Sequence, residues 1–162
     1  MSVWQPAYIG VGSNVDDPSA QVRRAVAKLG AVSATRVVCV SPLYGSRPFG
    51  PIAQPDFVNA VIGVLTELTS RALLAELQAL EKGLGRPAER EKWGPRVIDL
   101  DLLVYGRERS AVAELALPHN GIAERNFVLF PLADIAPDLN VPGLGRVSEL
   151  VARVSAKDIW PL

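Results

Sequence analysis

The order of strands and helices in this sequence predicts an α+β fold with a mainly antiparallel sheet. Apolar residues alternate along several short β-branched segments, which indicates strands, and recur every three or four positions in two longer segments, which indicates helices. In chain order, the segments form a strand, a helix, two strands, a helix and a strand. This order is typical of a ferredoxin-like split β-α-β core with helices on the faces of its sheet.

The boundaries of these segments follow from the same patterns and from turn-forming residues. Strands are expected at residues 7–11, 35–44, 57–65 and 96–105, and helices at 18–29 and from Thr69 or Ser70 to about Leu84. Residues 45–51 are rich in glycine and proline, which predicts neither a helix nor a strand. The predicted C-terminal additions are a strand at 112–117, short helices within 125–135 and a final amphipathic stretch.

Composition limits the partners that this chain can have. Hydrophobic residues make up 49% and charged residues 21% of the chain, as in ordinary globular proteins, and we expect a single domain over residues 1–162. Lys plus Arg (17) equals Asp plus Glu (17), so no overall charge favours nucleic acid or an anionic membrane. The N-terminus lacks a signal-peptide pattern and no apolar run approaches the ~18 residues of a membrane span, so a cytoplasmic protein is expected.

A single cysteine, Cys39, and a single histidine, His119, restrict the possible metal sites. One cysteine cannot form an internal disulfide or a thiolate cage, and one histidine excludes zinc sites with two His ligands. Carboxylates would therefore have to hold any bound metal, and they favour a hard cation such as magnesium.

The most informative segment, residues 93–103, reads WGPRVIDLDLL. Because side chains alternate along a strand, Asp99 and Asp101 are predicted to share one face, with Cα atoms about 7 Å apart at a rise of roughly 3.3 Å per residue. The residues predicted on the opposite, apolar face are Ile98, Leu100, Leu102 and Val104. Cations relieve the repulsion between such carboxylates, and Mg²⁺ commonly takes one or two carboxylates together with phosphate oxygens. The pair is therefore a candidate site for magnesium and ATP.

The alternative is a pair of solvated aspartates on the exposed face of an antiparallel sheet. The cations just before the strand favour an anion site instead: Arg86, Arg90, Lys92 and Arg96. The chain has no Walker motif, which excludes a P-loop enzyme. The sequence GVGSN at residues 10–14 follows a strand and resembles a phosphate loop, but it lacks the third glycine of a dinucleotide fingerprint, so a simple turn is expected.

Three weaker signals suggest a ligand site, and each has a structural alternative. Phe57 and Asn59 point to the same face of their strand, which suits a flat heterocycle but also occurs in buried strands. His119 could donate a hydrogen bond to a phosphate or cap a turn. Arg125 and Phe127 could supply a cation and a stacking ring, or Phe127 could belong to a helix core.

Together these motifs resemble the hydroxymethyl-dihydropterin pyrophosphokinase family of folate biosynthesis. The most specific string is WGPRVIDLD, and the resemblance covers nearly the whole chain in order. The other matching strings are AYIGVGSN (7–14), QPDFVNA (54–60), GR (85–86), PH (118–119) and RNF (125–127).

The resemblance implies transfer of the β,γ-pyrophosphoryl group of ATP to the hydroxymethyl oxygen of the pterin, with release of AMP. It implies that Asp99 and Asp101 bind two Mg²⁺ ions and form the catalytic set together with Arg86 and Arg96. The implied pterin contacts are Ser46, Phe49, Phe57, Asn59, Trp93 and Phe127. The implied ATP contacts are Gln78, Glu81, Arg86, Trp93, Arg96, Leu102, His119 and Arg125. Residues 85–95 correspond to the mobile catalytic lid of the family.

Rival functions belong to other classes of protein. A ferredoxin-like regulatory domain would bind its ligand without Mg²⁺ and form no AMP, and a related phosphotransferase would use another flat heterocyclic alcohol. A protein that binds a partner through its sheet edge has no support in the charge pattern. Asp99 and Asp101, beside a basic segment, favour the pyrophosphokinase, and we expect it to act as a monomer.

Overall fold

A six-stranded antiparallel sheet with helices on both faces forms the centre of the protein. The computed structural model describes residues 3–85, 95 and 97–162. The elements in chain order are β1 (Gln5–Ser13), α1 (Pro18–Leu29), β2 (Thr35–Val40), β3 (Tyr44–Ser46), β4 (Phe57–Thr66), α2 (Ser70–Gly83), β5 (Asp99–Tyr105), β6 (Ser110–Val112), β7 (Leu115–Leu117), a 3-10 turn (Ile122–Glu124), α3 (Asn126–Ile135), β8 (Asn140–Val141), β9 (Gly145–Arg146), α4 (Val147–Ala152) and β10 (Ile159–Pro161).

The strand order confirms the predicted α+β class with a mainly antiparallel sheet. The strands lie in the order β10-β3-β4-β1-β5, with β2 also paired to β4, and each of these pairings is antiparallel. β1 and β4 are central, and α1 and α2 make the two crossovers, as in a split β-α-β core. Two small hairpins, β6–β7 and β8–β9, follow this core in the chain.

Two apolar clusters cover the two faces of the sheet. The first packs α1 and α2 against one face, with Val22, Leu29, Leu73 and Leu77 fully buried. The second packs α3 and α4 against the other face, with Leu129 and Leu132 among its fully buried members. Among the helices of the described residues, none combines the length and the hydropathy of a membrane span.

Both crossover helices begin at residues that the sequence marks as helix starts. In α1, Pro18 occupies the first turn and the Asp17 carboxylate accepts a hydrogen bond from the Ala20 amide at 3.3 Å. In α2, the Thr69 hydroxyl accepts from the Ala72 amide at 3.1 Å, so Thr69 rather than Ser70 is the cap. The predicted bounds of α1 agree with the structure.

The predicted strand at 35–44 is wrong, because two strands occupy this segment. β2 ends at Val40, and Ser41 turns the chain by donating its amide to the Val61 carbonyl and accepting the Val61 amide on its hydroxyl, both at 2.9 Å. Pro42 has no amide hydrogen and therefore cannot continue the ladder. The expectation that 45–51 forms no strand is also wrong at its start, since Gly45 and Ser46 belong to β3.

Three further boundaries differ from the prediction. β1 continues to Ser13, so Gly12, which was expected to lie in a turn after the strand, lies within it. The single strand expected at 112–117 is the hairpin β6–β7. β5 begins at Asp99, and Arg96, where a strand was predicted to begin, lies outside the described residues.

We predict that Gly45→Ala destabilises the protein by about 1–3 kcal/mol, because the added methyl group overpacks a filled site. A Cβ at Gly45 would lie 2.3 Å from Nε1 of Trp160, the residue opposite it on β10. The matched control is Gly83→Ala at the end of α2, where a Cβ would meet nothing within 4 Å. Urea unfolding measures both variants, and equal stabilities would contradict the packing of Trp160 on Gly45.

Candidate active site

Asp99 and Asp101 line a cavity of about 450 Å³ on one face of β5. Leu100 and Leu102 point to the other face and are 3% and 4% exposed in the first apolar cluster. The strand therefore holds two carboxylates at the cavity while its opposite side is fixed in the core, as the alternation predicted.

The predicted alternation of side chains between the two faces of β5 fails at Val104. The pairing with β1 shifts by one residue, since Tyr8 faces Val104 while Ile9 faces Leu102. Leu103 is thus the extra residue of a β-bulge, and Val104 joins the second apolar cluster instead of the first. The prediction that Val104 shares a face with Leu100 and Leu102 is wrong.

Two glycines of β1 form the floor of the cavity between the aspartates and β4. Gly10 pairs with Asp101 on β5, and Gly12 pairs with Asp99 on β5 and with Asn59 on β4. A Cβ at Gly12 would lie 3.2 Å from Oδ1 of Asn59. The absence of side chains at these positions leaves open the space between the carboxylates and the amide.

Asn59 and Ser46 form a buried polar pair in the cavity wall. They are 5% and 4% exposed, and the Asn59 amide nitrogen donates to the Ser46 hydroxyl at 2.8 Å. This bond fixes the orientation of the amide, which can then present donor and acceptor groups to a heterocycle edge.

Aromatic rings supply the apolar part of the cavity. The rings of Phe49 and Phe127 lie 5.7 Å apart between centroids, with a 49° angle between their planes. Phe57 also lines the cavity, and the Arg125 guanidinium carbon lies 5.9 Å from the centre of the Phe127 ring. The cavity therefore combines ring surfaces with cations and carboxylates, a set that suits a flat polar ring joined to an anionic group.

The segment between β3 and β4, which carries Phe49, is held by the end of β1. Asn14 is 1% exposed, and its amide nitrogen donates to Oε1 of Gln54 and to the carbonyl of Pro55, both at 2.9 Å. Asn14 thus supports the segment that carries Phe49 without itself lining the cavity.

His119 lies at the boundary of a second cavity of about 450 Å³. Its Nε2 is 3.9 Å from Oδ1 of Asp101, and its backbone amide donates to the Leu103 carbonyl at 2.8 Å. Glu124 lines both cavities, which are therefore adjacent. The backbone bond holds the imidazole near the carboxylate pair.

Besides His119, three of the predicted ATP contacts do not line the first cavity. Gln78 is an exposed residue of α2, whereas Leu102 is buried in the first apolar cluster. Glu81 is 3% exposed, and its Oε2 accepts the amide of Leu100 at 3.0 Å. Glu81 therefore fixes the backbone between the two aspartates. A direct contact of Gln78, Leu102 or Glu81 with ATP stays a prediction.

Three other predicted site residues, Arg86, Trp93 and Arg96, lie outside the described residues, as does most of the predicted lid at 85–95. Apart from His119, the structure brings the remaining predicted residues together at the first cavity: Ser46, Phe49, Phe57, Asn59, Asp99, Asp101, Arg125 and Phe127. The individual roles of these residues stay predictions.

The donor set at the cavity fits magnesium. Within residues 3–85, 95 and 97–162, no three His, Cys, Asp or Glu side chains gather into a complete protein-only metal site. Asp99 and Asp101 offer two carboxylates on one strand face, and Mg²⁺ typically takes one or two carboxylates and completes its shell with waters and substrate phosphates. Such a site would bind metal together with a nucleotide.

Several residues that shape this site were not predicted from the sequence. Gly12 was expected to end the first strand in a turn, although its spacing of two from Gly10 was a usable signal that both lie on one strand face. Arg47 and Glu124 also line the cavity, and no local motif marked them.

We predict that the Tyr44 phenol stays protonated up to about pH 12. Burial, the hydrogen bond that its hydroxyl donates to Oδ2 of Asp134, and the Asp134 charge raise the pKa of Tyr44 from 10.0 to about 12. Because the pKa of Tyr44 is higher in the folded than in the unfolded protein, the contribution of the protonated phenol to stability is complete below pH 10. This contribution is lost as the pH rises through about 12. The ¹³Cζ shift of Tyr44 against pH measures this, and Asp134→Asn should lower the pKa.

The control for that titration is Tyr105, whose pKa is raised by burial and by Glu108. Its titration should be the same in both proteins. An unchanged Tyr44 pKa in Asp134→Asn would contradict the bond between β3 and α3.

The family model for 7,8-dihydro-6-hydroxymethylpterin-pyrophosphokinase matches residues 8–137, which include both aspartates and the other residues that line the cavity. The chain belongs to this family. The pyrophosphokinase match ends after α3, so α4 and β10 lie beyond the matched residues.

Curated pyrophosphokinases of bacteria are similar over most of their length. The 2-amino-4-hydroxy-6-hydroxymethyldihydropteridine pyrophosphokinase of Pseudomonas aeruginosa is 43% identical over 148 residues, which cover 91% of each chain. That of Methylorubrum extorquens is 44% identical over 153 residues, which cover 94% of this chain and 96% of the relative.

Solved structures of the family share the fold. The crystal structure of Plasmodium falciparum HPPK-DHPS A437G has a TM-score of 0.74 at 12% identity and covers 94% of this chain. The match extends over 46% of the Plasmodium chain, so it concerns about half of that protein.

Proposed function

We infer that this chain transfers pyrophosphate from ATP to 6-hydroxymethyl-7,8-dihydropterin in folate biosynthesis. In this reaction the hydroxymethyl oxygen bonds to the β-phosphorus, and the bond between that phosphorus and the oxygen bridging to the α-phosphate breaks. AMP leaves, the pterin carries the diphosphate, and the hydroxyl proton is released.

One observation carries this proposal: a single cavity brings amide, hydroxyl and aromatic groups together with two carboxylates. Asn59 and Ser46 supply the polar groups, and the Phe127 ring supplies apolar surface. Asp99 and Asp101 line the same cavity. This arrangement supports the proposal, because a pterin bound against these groups and a triphosphate bound at the carboxylates would share one cavity.

Asp99 and Asp101 are the residues that would hold two Mg²⁺ ions together with the phosphates of ATP. Bound Mg²⁺ would neutralise phosphate charge and favour attack at the β-phosphorus. The chain contributes the rigid placement of the carboxylates, because Glu81 holds the Leu100 amide between them and the core fixes the far side of β5.

Other residues of the chain would bind and orient the two substrates. The Asn59 amide would read the edge of the pterin, and the Phe127 ring would cover a face. Arg125 would offset phosphate charge from the same side, and His119 could donate a hydrogen bond to a phosphate oxygen near Asp101. Arg86 and Arg96 are assigned the stabilisation of charge during transfer on the family resemblance alone.

The test is to incubate the protein with ATP, Mg²⁺ and hydroxymethyl-dihydropterin and to follow the products by ³¹P NMR. We expect AMP and the pterin diphosphate in equal amounts, and neither without Mg²⁺. Formation of ADP, or of AMP without pterin diphosphate, would contradict pyrophosphate transfer.

The same assay separates the rival functions. A regulatory binding domain would bind the pterin without Mg²⁺ and would form no AMP. A related phosphotransferase would convert another heterocyclic alcohol with a higher kcat/KM than the pterin. The monomeric state stays a prediction, which sedimentation of the pure protein would test.

A further inference from the structure

The last residues of the chain contact both walls of the cavity, although they do not line it. We call residues 155–162, which include β10, the C-terminal strap. One wall of the cavity comes from β3 and the residues after it, and a second wall comes from the start of α3.

The strap pairs with the first wall through its backbone. Ile159 faces Ser46 and Trp160 faces Gly45 in the β10–β3 ladder. The Arg47 amide donates to the Asp158 carbonyl at 3.0 Å, and Nε of Arg47 lies 3.3 Å from Oδ1 of Asp158. Ser46 and Arg47, which line the cavity, are therefore attached directly to the strap.

The strap is attached to the second wall through one side chain, that of Asn126. Its amide nitrogen donates to the carbonyls of Ser155 and Lys157, both at 2.9 Å. The Lys157 amide donates in turn to the Ser155 hydroxyl at 3.0 Å, which closes this turn of the strap. Asn126 stands between Arg125 and Phe127, and both of these neighbours line the cavity.

We propose that the C-terminal strap fixes the spacing of the two cavity walls, with Asn126 as its positioning residue, so that the pterin meets a preformed site. The proposal rests on the proposed function for the identity of the ligand. Phe49 and Phe127 lie one on each wall, and the 5.7 Å distance between their ring centroids is a measure of this spacing.

The physical reason is preorganisation. A cavity whose walls are correctly spaced only part of the time binds more weakly by that fraction. The segment that carries Phe49 lies between β3 and β4, and β3 has three residues. Pairing with β10 on its other side, with a link to α3, limits the positions that this wall can take.

The experiment compares Asn126→Ala with Asn140→Ala, a matched change at an exposed residue of β8 away from the cavity. For Asn126→Ala we expect the KM for the pterin to rise roughly ten-fold, as for a site that is competent a tenth of the time, while kcat and the KM for ATP stay within about two-fold. Asn140→Ala should match the unmodified protein in all three constants.

A second pair of variants tests the other attachment of the strap. Asp158→Asn removes the ion pair with Arg47, and Asp138→Asn is its exposed control. Because the Arg47 and Asp158 side chains are 70% and 48% exposed, we expect only about a two-fold rise in the KM for the pterin. A fall in kcat with an unchanged KM in Asn126→Ala would overturn the positioning role.

A structural readout keeps this proposal separate from the proposed function. Nuclear Overhauser contacts between the Phe49 and Phe127 rings should be strong in the unmodified protein and in Asn140→Ala and weaker in Asn126→Ala. Unchanged ring contacts in Asn126→Ala would overturn the proposed role of the strap even if the protein turns over the pterin. Lack of turnover by the unmodified protein would contradict the proposed function, and the ring contacts would still test whether the strap fixes the wall spacing.

Discussion

Replacing Asp101 with alanine is expected to lower kcat/KM by roughly 10³-fold, which corresponds to about 4 kcal/mol of transition-state stabilisation. The carboxylate lines the cavity beside Asp99, and the proposed mechanism needs both to hold metal and triphosphate together. Asp99→Ala should have a similar effect. Steady-state assays of AMP formation measure the loss of activity.

A second measurement separates the metal role from a general loss of structure. Calorimetric titration with Mg²⁺ and a non-hydrolysable ATP analogue should show weaker binding by both variants, whereas their thermal unfolding should stay close to that of the unmodified protein. Asp138→Ala, at an exposed residue after α3, is the matched control and should keep full activity. Near-normal turnover by either Asp99→Ala or Asp101→Ala would refute the metal site.

Asn59→Ala should raise the KM for the pterin by roughly 30-fold, or about 2 kcal/mol, with little change in the KM for ATP. The mutation removes the amide that would read the heterocycle edge, and it leaves the Ser46 hydroxyl without its 2.8 Å partner. Kinetics with each substrate varied in turn would separate the two constants.

The control for Asn59→Ala is Thr66→Ala at the other end of β4. Thr66 is fully buried, and its hydroxyl is 2.8 Å from that of Thr35, so this variant also loses a buried hydrogen bond. Both variants should lose about 1–3 kcal/mol of stability, but only Asn59→Ala should weaken the binding of the pterin. Equal KM values for the pterin in the two variants would exclude Asn59 from its recognition.

Local patterns were enough to predict the elements whose causes are local. α1 was predicted with its observed bounds because Pro18 and the spacing of Val22 and Leu29 are short-range signals. The shared face of Asp99 and Asp101 was predicted because alternation is a property of any extended strand. The roles of the predicted site residues depend on bound substrates, and they stay predictions.

The errors occurred where distant segments decide the local structure. Gly45 and Ser46 look like loop residues, but they form a strand because β4 pairs with them on one side and β10 on the other. Val104 changes face because the pairing with β1 shifts at Tyr8. Short-range patterns do not contain these pairings, since they depend on which strands become neighbours.

The sequence by itself determined the α+β class, the family and the placement of two carboxylates on one strand face, because periodicity and motif strings are written in consecutive residues. Only the tertiary structure decided that the glycines of β1 form a floor between those carboxylates and Asn59. It also decided that the C-terminal strap is hydrogen-bonded to both walls of the cavity. Both features arise from segments far apart in the chain, and packing alone brings such segments together.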